Sequence, residues 1–148
     1  MDAYARAMGT RKDTAVRIGR QLFSQPWSAQ ILRIYVDGIP SHQVAGIVLS
    51  GVKFHRPLSR LLFVHEVVTI VAQTFAAAPV EEVDLWCVVP LTVGKGAIVS
   101  GDLAQPTDRT VFAVTVRRGE AFRSVRTRID AGRTVYWDAL WARGALRS

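Results

Sequence analysis

Residues 59–90 read SRLLFVHEVVTIVAQTFAAAPVEEVDLWCVVP, and this stretch decides the fold. Its first part is apolar at nearly every position, and the polar side chains at 66, 69 and 73 form one narrow stripe at helical spacing. Ser59 is a suitable N-cap, and Pro79 ends the segment because proline cannot continue a helix. The sequence therefore predicts a helix over residues 59–78 that is buried on most sides.

The second part of this stretch alternates with the period of a β-strand. One face carries Val83, Leu85, Cys87 and Val89, and the other carries Asp84, Trp86 and Val88. This pattern predicts a strand over residues 82–90 that lies against a core and has a partly covered second face.

Two further strands are predicted before the helix. Residues 31–36 and 43–54 are both rich in β-branched side chains, and Asp37-Gly38 with Pro40 between them indicates a turn. We expect an antiparallel hairpin in which Gly46 and Gly51 mark bulges or close backbone approach. After the helix we expect a turn at 94–96, a returning strand at 97–99, a loop at 101–109 and a strand at 110–116.

The terminal segments have less regular patterns. Residues 12–23 predict a short basic amphipathic helix that ends before Pro26, with residues 1–10 frayed. Residues 120–129 fit a helix and a strand equally well. Residues 134–146 predict a helix that places Trp137, Leu140 and Trp141 on one face, with Arg133, Arg143 and Arg147 around it.

The order of these elements predicts an α+β fold. We expect a two-layer domain with an antiparallel or mixed sheet, one long buried helix (59–78) and basic terminal segments. The length of 148 residues fits a single domain, residues 1–148. The predicted core packs Leu62, Val67, Val71 and Phe75 of the helix against Val83, Leu85, Cys87, Phe112 and Val114 of the sheet.

The charge of the chain is concentrated at its ends. Residues 1–25 carry a net charge of +3, residues 26–116 carry −1, and residues 117–148 carry +5. Sixteen of the 19 basic residues are arginine, whose planar guanidinium suits carboxylates, phosphates and aromatic faces. A nearly neutral domain with two basic ends predicts termini that meet something acidic or polar.

The basic aromatic C-terminal segment holds the candidate partner-binding residues. Its basic members are Arg117, Arg118, Arg123, Arg126 and Arg128, a density that suits phosphates, with Phe122 available for stacking. Its aromatic members are Trp137 and Trp141. Three roles remain open for these tryptophans: packing on the domain's own core, anchoring a protein interface, or lying at a membrane surface.

Several chemistries are not predicted. The single cysteine, Cys87, lies in an apolar strand and excludes an internal disulfide. His42, His55 and His65 lack metal-ligand spacing, and Gly94-Lys95-Gly96 lacks the rest of a phosphate loop. We therefore assign no catalytic residue, metal or cofactor. Residues 61–78 are interrupted by His65, Glu66 and other polar groups, so no transmembrane segment is expected.

The leading hypothesis is a non-enzymatic binding or assembly module, a small subunit that docks to a larger complex through its basic termini. The expected partner is a protein complex or a second copy of the chain. A nucleic-acid-binding protein that uses residues 117–128 is the second hypothesis, and peripheral contact with a membrane is a further option. A small enzyme with an acidic loop site at Asp102 and Asp108 is the third. The expected location is the cytoplasm, with an organelle left open.

Overall fold

A computed structural model describes residues 3–91 and 108–147 of the chain. The described residues form the elements α1 (Ala3–Leu22), β1 (Ala29–Ile39), β2 (His42–Phe54), α2 (Arg60–Ala77), β3 (Glu82–Pro90), β4 (Asp108–Arg117), α3 (Phe122–Ala131), β5 (Tyr136–Trp137) and α4 (Ala139–Ala145). The predicted turn at 94–96, the strand at 97–99 and Asp102 lie outside these residues. Asp108 and Arg109, predicted in a loop, are the first residues of β4.

The strands form one mixed sheet in the order β1-β2-β3-β4-β5. β1 and β2 pair antiparallel, as the hairpin prediction requires, whereas β2 and β3 pair parallel. β3–β4 and β4–β5 are antiparallel. Because parallel neighbours need a crossover connection, α2 has to return the chain from the end of β2 to the start of β3. The predicted α+β two-layer fold with a mixed sheet is confirmed.

α2 is the central core helix. It is capped by Ser59, whose Oγ accepts a hydrogen bond from the N–H of Leu62 at 3.0 Å. Val67 and Val71 are completely buried, and Phe63 meets Phe112 of β4 edge-to-face at 5.1 Å. Of the other helix residues in the predicted core, Leu62 and Phe75 are only partly buried. The sheet residues of that prediction are all buried.

One member of the polar stripe of α2 faces inward. Glu66 is only 8% exposed, and its Oε1 accepts a hydrogen bond from the backbone N–H of Ser28 at 2.6 Å. This bond ties α2 to the connection between α1 and β1. Thr69 bonds back to the carbonyl of His65, and Gln73 bonds to Gln25, so only this outer part of the stripe lies near the surface.

The N-terminal prediction was too short. α1 begins at Ala3 rather than at residue 12, so the segment predicted to be frayed is largely helical. Ile18 and Leu22 are completely buried, and the helix contacts both β1 and α2. Phe23, predicted on the apolar face, is exposed because the helix ends at Leu22. Burial of the second half of α1 explains why the helix persists without an N-terminal sequence signal.

The C-terminal segment also differs from its prediction. Residues 122–131 form α3, which ends where Gly132 adopts the left-handed conformation at φ 68°. The predicted helix at 134–146 is instead the short strand β5 followed by α4, because Asp138 caps a new helix. Leu140 and Trp141, predicted on one face, differ in burial, with exposures of 76% and 8%.

α2 is also the one described helix that is long and apolar enough to span a membrane by length and composition. Core helices of folded domains meet the same criterion, and 44% of this stretch is buried inside the fold. Its apolar character follows from contacts with the sheet on one side and with α1 and α3 on its flanks.

The core position of α2 gives a direct test. Val71→Asp would bury an unpaired charge, and we expect it to lower the free energy of unfolding by more than about 3 kcal/mol. Leu61→Asp is the matched control, because Leu61 is 68% exposed on the same helix. A change within about 0.5 kcal/mol is expected there. Equal effects of the two substitutions in chemical denaturation would contradict the placement of α2.

A candidate anion-binding cleft at the C-terminus

Arg118 has a structural role. Its Nε donates to the carbonyl of Val80 at 2.7 Å, and its Nη2 donates to the carbonyls of Ala78 and Phe75 at 2.8 and 3.0 Å. α2 has no basic residue in its last turn, so this guanidinium provides the positive charge that favours a helix C-terminus. Most of its donors are thereby used inside the chain.

Arg128 is also engaged internally. It forms a two-pronged ion pair with Glu120, with Nε to Oε1 at 2.8 Å and Nη2 to Oε2 at 3.1 Å. The same side chain donates to the carbonyl of Thr115 and to the hydroxyl of Thr134, both at 3.0 Å. These bonds attach α3 to the outer edge of β4, where β5 is too short to cover the strand.

The other three predicted arginines lie on two different elements, β4 and α3. Arg117 ends β4 directly opposite Glu82 of β3. Arg123 is exposed on α3, and Arg126 is half-buried on the same helix. Neither has a side-chain hydrogen bond or ion pair within residues 3–91 and 108–147. Of the five arginines in residues 117–128, Arg118 and Arg128 are therefore engaged in internal bonds, whereas Arg123 and Arg126 are not so engaged among the described residues.

The two candidate tryptophans are built into the helix side of the fold. Trp141 is buried, its Nε1–H donates to the carbonyl of Gly51 at 2.9 Å, and its ring meets Phe63 at 5.5 Å. Trp137 is half-buried, bonds the carbonyl of Ile129 at 2.9 Å, and contacts Phe112 at 4.7 Å. Of the three roles left open for the tryptophans, packing on the domain's own core applies to the whole side chain of Trp141 and to one side of Trp137.

The outer side of Trp137 lines an open cleft of about 740 Å³. Three arginines from different parts of the chain line this cleft: Arg60 at the start of α2, Arg143 in α4, and Arg147 after α4. The guanidinium carbon of Arg60 lies 4.2 Å from the centre of the Trp137 ring. We call this site the anion-binding cleft; Asp130 is the acidic residue among those that line it.

Backbone pairing holds the cleft together. The N–H of Arg60 donates to the carbonyl of Arg147 at 3.0 Å, and the N–H of Arg147 donates to the carbonyl of Leu58 at 2.9 Å. This short parallel bridge fixes the C-terminus beside the first turn of α2. Asp138, which precedes α4 and does not line the cleft, caps this helix by accepting a hydrogen bond from the N–H of Trp141 at 2.9 Å. That bond and the ion pair with Arg109 lower the pKa of Asp138.

The electrostatics of the cleft favour an anion. Within the described chain, none of its three guanidinium groups lies within ion-pair distance of a carboxylate. Like charges that share one concave site repel each other, and a bound carboxylate or phosphate relieves that repulsion. Its described lining contains no serine, cysteine or histidine.

Sequence reasoning placed Arg143 and Arg147 around the C-terminal tryptophans and missed Arg60. No periodicity or spacing connects Arg60 with α4, because the contact forms only when the C-terminus pairs beside Ser59. The signal available in sequence was indirect: an arginine directly after an N-cap lies at the positive end of a helix, where a cation is unfavourable unless something else stabilises it.

The remaining titratable candidates lie elsewhere. Cys87 is completely buried, and burial raises its pKa to about 12, so it is an inert thiol. All three histidines are exposed, and the described residues contain no metal-ligating cluster. Asp108 is exposed at the start of β4. Burial, followed by the neighbouring Asp84, raises the pKa of Glu82.

The different burial of two neighbouring residues in α4 predicts different effects on stability. Trp141→Ala removes a large buried ring and a buried hydrogen bond, and we expect the free energy of unfolding to fall by about 3 to 5 kcal/mol. Leu140→Ala, one residue away and exposed, should change it by less than about 0.5 kcal/mol. Deleting residues 134–148 should destabilise the domain at least as much as Trp141→Ala. A truncated chain with an unchanged melting temperature would contradict the structural role of this segment.

The raised pKa of Glu82 predicts a pH dependence. The folded state holds the proton of Glu82 more tightly than the unfolded state, so its contribution to stability falls as pH rises through the folded pKa. Glu82→Gln should therefore raise the melting temperature at neutral pH. The gain should vanish well below the ordinary pKa of 4.5. Thermal melts at both pH values measure this, and a loss of stability at neutral pH would reverse the assigned sign.

Comparison with known protein families, curated proteins and solved structures found no match to this chain. The function proposed below therefore rests on the physical chemistry of its own residues: the arginines and tryptophan of the cleft, their burial, and the charges that surround them.

Proposed function

We propose that the protein is a non-enzymatic binding module that docks an acidic segment of a partner protein into the anion-binding cleft. The observation that carries this proposal is the convergence of Arg60, Arg143 and Arg147 on one cleft without carboxylate partners among the described residues. The proposal keeps the idea of docking through a basic terminus, and it narrows the contact to the cleft.

The shape of the basic surface supports an acidic peptide as the occupant. A cleft of about 740 Å³ has the size of a site for a few side chains, whereas a nucleic-acid strand needs a groove that tracks its backbone. The guanidinium forks can each bind a carboxylate in two-pronged geometry. The backbone bridge at Arg147 fixes the main chain of two of the three arginines before binding, which lowers part of the entropic cost of docking.

The aromatic groups also support this choice. Base stacking needs an open aromatic face, and the guanidinium of Arg60 already covers one face of Trp137. The same ring also packs edge-to-face with Phe112 at 4.7 Å. Phe122, the other stacking candidate, lies at the start of α3 and does not line the cleft. A ligand that uses carboxylates alone fits this arrangement better than one that also needs stacking.

Nucleic-acid binding is the second candidate function. The observation in its favour is that Arg123 and Arg126 are unengaged on α3 within the described chain. Two arginines on one helix can contact phosphates without base readout. This mode would leave the anion-binding cleft unused, so the two functions depend on different residues and are separable by mutation.

The test uses fluorescence anisotropy with two labelled probes, an oligo-glutamate peptide and a single-stranded oligonucleotide of equal charge. We expect the full chain to bind the peptide at low salt. Replacing Arg60, Arg143 and Arg147 with Gln should weaken that binding by at least about tenfold, which is 1.4 kcal/mol. The matched control replaces Arg123 and Arg126 with Gln and should leave peptide affinity within about twofold.

Three results would contradict the cleft proposal. The first is absence of peptide binding at low salt, and the second is equal loss of affinity in both variants. The third is an oligonucleotide that binds more tightly than the peptide and loses affinity only when Arg123 and Arg126 are replaced. That last result would establish the second candidate, and the slope of affinity against salt would then give the number of phosphates contacted.

A further inference from the structure

The sheet has a second face, opposite the one on which the helices pack. Burial alternates along β3, with Val83, Leu85 and Cys87 toward the helices and Asp84, Trp86 and Val88 half-buried on the other side. α1 contacts β1 and α2, α3 contacts α2, and Trp141 of α4 meets Phe63 of α2, so the helices share one side. Within residues 3–91 and 108–147, no helix or strand covers the second side, which we call the open face.

Two stacked aromatic rings form the centre of the open face. Tyr35 of β1 stacks on Trp86 of β3, with ring centres 6.1 Å apart and planes 17° from parallel. Tyr35 reaches Trp86 by lying across Gly46 of β2, where an added Cβ would fall 2.2 Å from its ring. The guanidinium carbon of Arg33 lies 4.9 Å from the centre of the Tyr35 ring. Small or branched apolar side chains occupy the neighbouring positions on this face: Val44, Val48, Val88 and Ala113.

Charges of opposite sign lie at the two edges of this face. The strand register aligns Asp37 of β1, Val44 of β2, Glu82 of β3 and Arg117 of β4 in one row. The side chain of Asp37 is 76% exposed, accepts a hydrogen bond from the N–H of Gly38 at 2.8 Å, and forms a 3.5 Å ion pair with Arg11 at the edge of the sheet. With Asp84 and Arg33 included, the described open face carries three carboxylates and two guanidinium groups.

We propose that a second copy of the chain binds the open face and forms a two-fold symmetric dimer. A two-fold axis that runs parallel to the strands between β2 and β3 exchanges the β1 edge of one copy with the β4 edge of the other. It therefore places Asp37 of each copy opposite Arg117 of the other, and it brings the two aromatic pairs together at the centre. Face-to-face packing of two sheets is an established arrangement, with the strands of the two sheets about 30° apart.

The available area fits a reversible dimer. Four strands about 4.8 Å apart and about nine residues long at about 3.3 Å per residue give roughly 600 Å² per copy. Two copies then bury roughly 1,200 Å², the lower end of stable interfaces. We therefore expect a dimer that forms in the micromolar range and that persists when the arginines of the anion-binding cleft are replaced, since those lie on the helix side.

The experiment is sedimentation velocity of the full chain over a concentration series, with a charge-swap pair. Asp37→Arg alone sets two positive charges against each other in both contacts, and Arg117→Asp alone sets two negative charges against each other. Each variant should sediment as a folded monomer. An equimolar mixture of the two should form a dimer again, because each contact then joins opposite charges. Arg123→Asp, on α3, is the matched control and should dimerise like the unmodified chain.

Arg117→Asp places a second carboxylate opposite Glu82 and could prevent folding. A variant at the centre of the open face tests the proposal independently of that substitution. Val48→Lys places a charge next to the aromatic pair and should abolish the dimer while circular dichroism remains unchanged. The proposal is overturned if the unmodified chain stays monomeric at all concentrations, or if the mixture does not recover a dimer from two folded single variants. A dimer that survives Val48→Lys, or one that disappears on nuclease treatment, would overturn it as well.

Discussion

The parallel pairing of β2 and β3 is the constraint on which the rest of this structure depends. It requires a crossover, and α2 is that crossover, so a single helix has to cover the middle of the sheet. Its apolar character follows from that position, because α1 and α3 pack beside it on the same side. Among the described residues, no helix or strand covers the other side of the sheet.

The arginines divide into two groups by what surrounds them. Arg118 satisfies the last carbonyls of α2, and Arg128 joins α3 to β4 through Glu120 and the carbonyl of Thr115. A guanidinium group can do this because it has five donors in a fixed plane and remains charged at every relevant pH. The second group, at the anion-binding cleft, has no such internal acceptors among the described residues. A dense run of arginines in sequence is therefore a poor guide to which of them are available for a partner.

The two surfaces proposed for binding lie on opposite sides of the sheet and differ in chemistry. The anion-binding cleft is concave, positively charged and held by backbone pairing at the C-terminus. The open face is centred on Tyr35 and Trp86 and carries charges of both signs. Their separation means that a dimer would present two clefts pointing away from its interface. Two sites in one assembly would strengthen the capture of a partner that carries repeated acidic segments.

The sequence alone determined the elements with strong periodicity. The helix at residues 59–78, the strand at 82–90 and the hairpin of β1 and β2 follow from local patterns, because burial on one face imposes a period of 3.6 or 2 on the chain. Tertiary structure decided the orientation and contacts of side chains that this periodicity does not predict. Glu66 turned inward because the backbone of Ser28 offers it a donor, and Trp141 entered the core because Gly51 leaves room beside its ring. Arg60 joined Arg147 only through pairing between distant segments. Contacts of this kind depend on where the ends of elements meet in space, and no local period of the sequence encodes that.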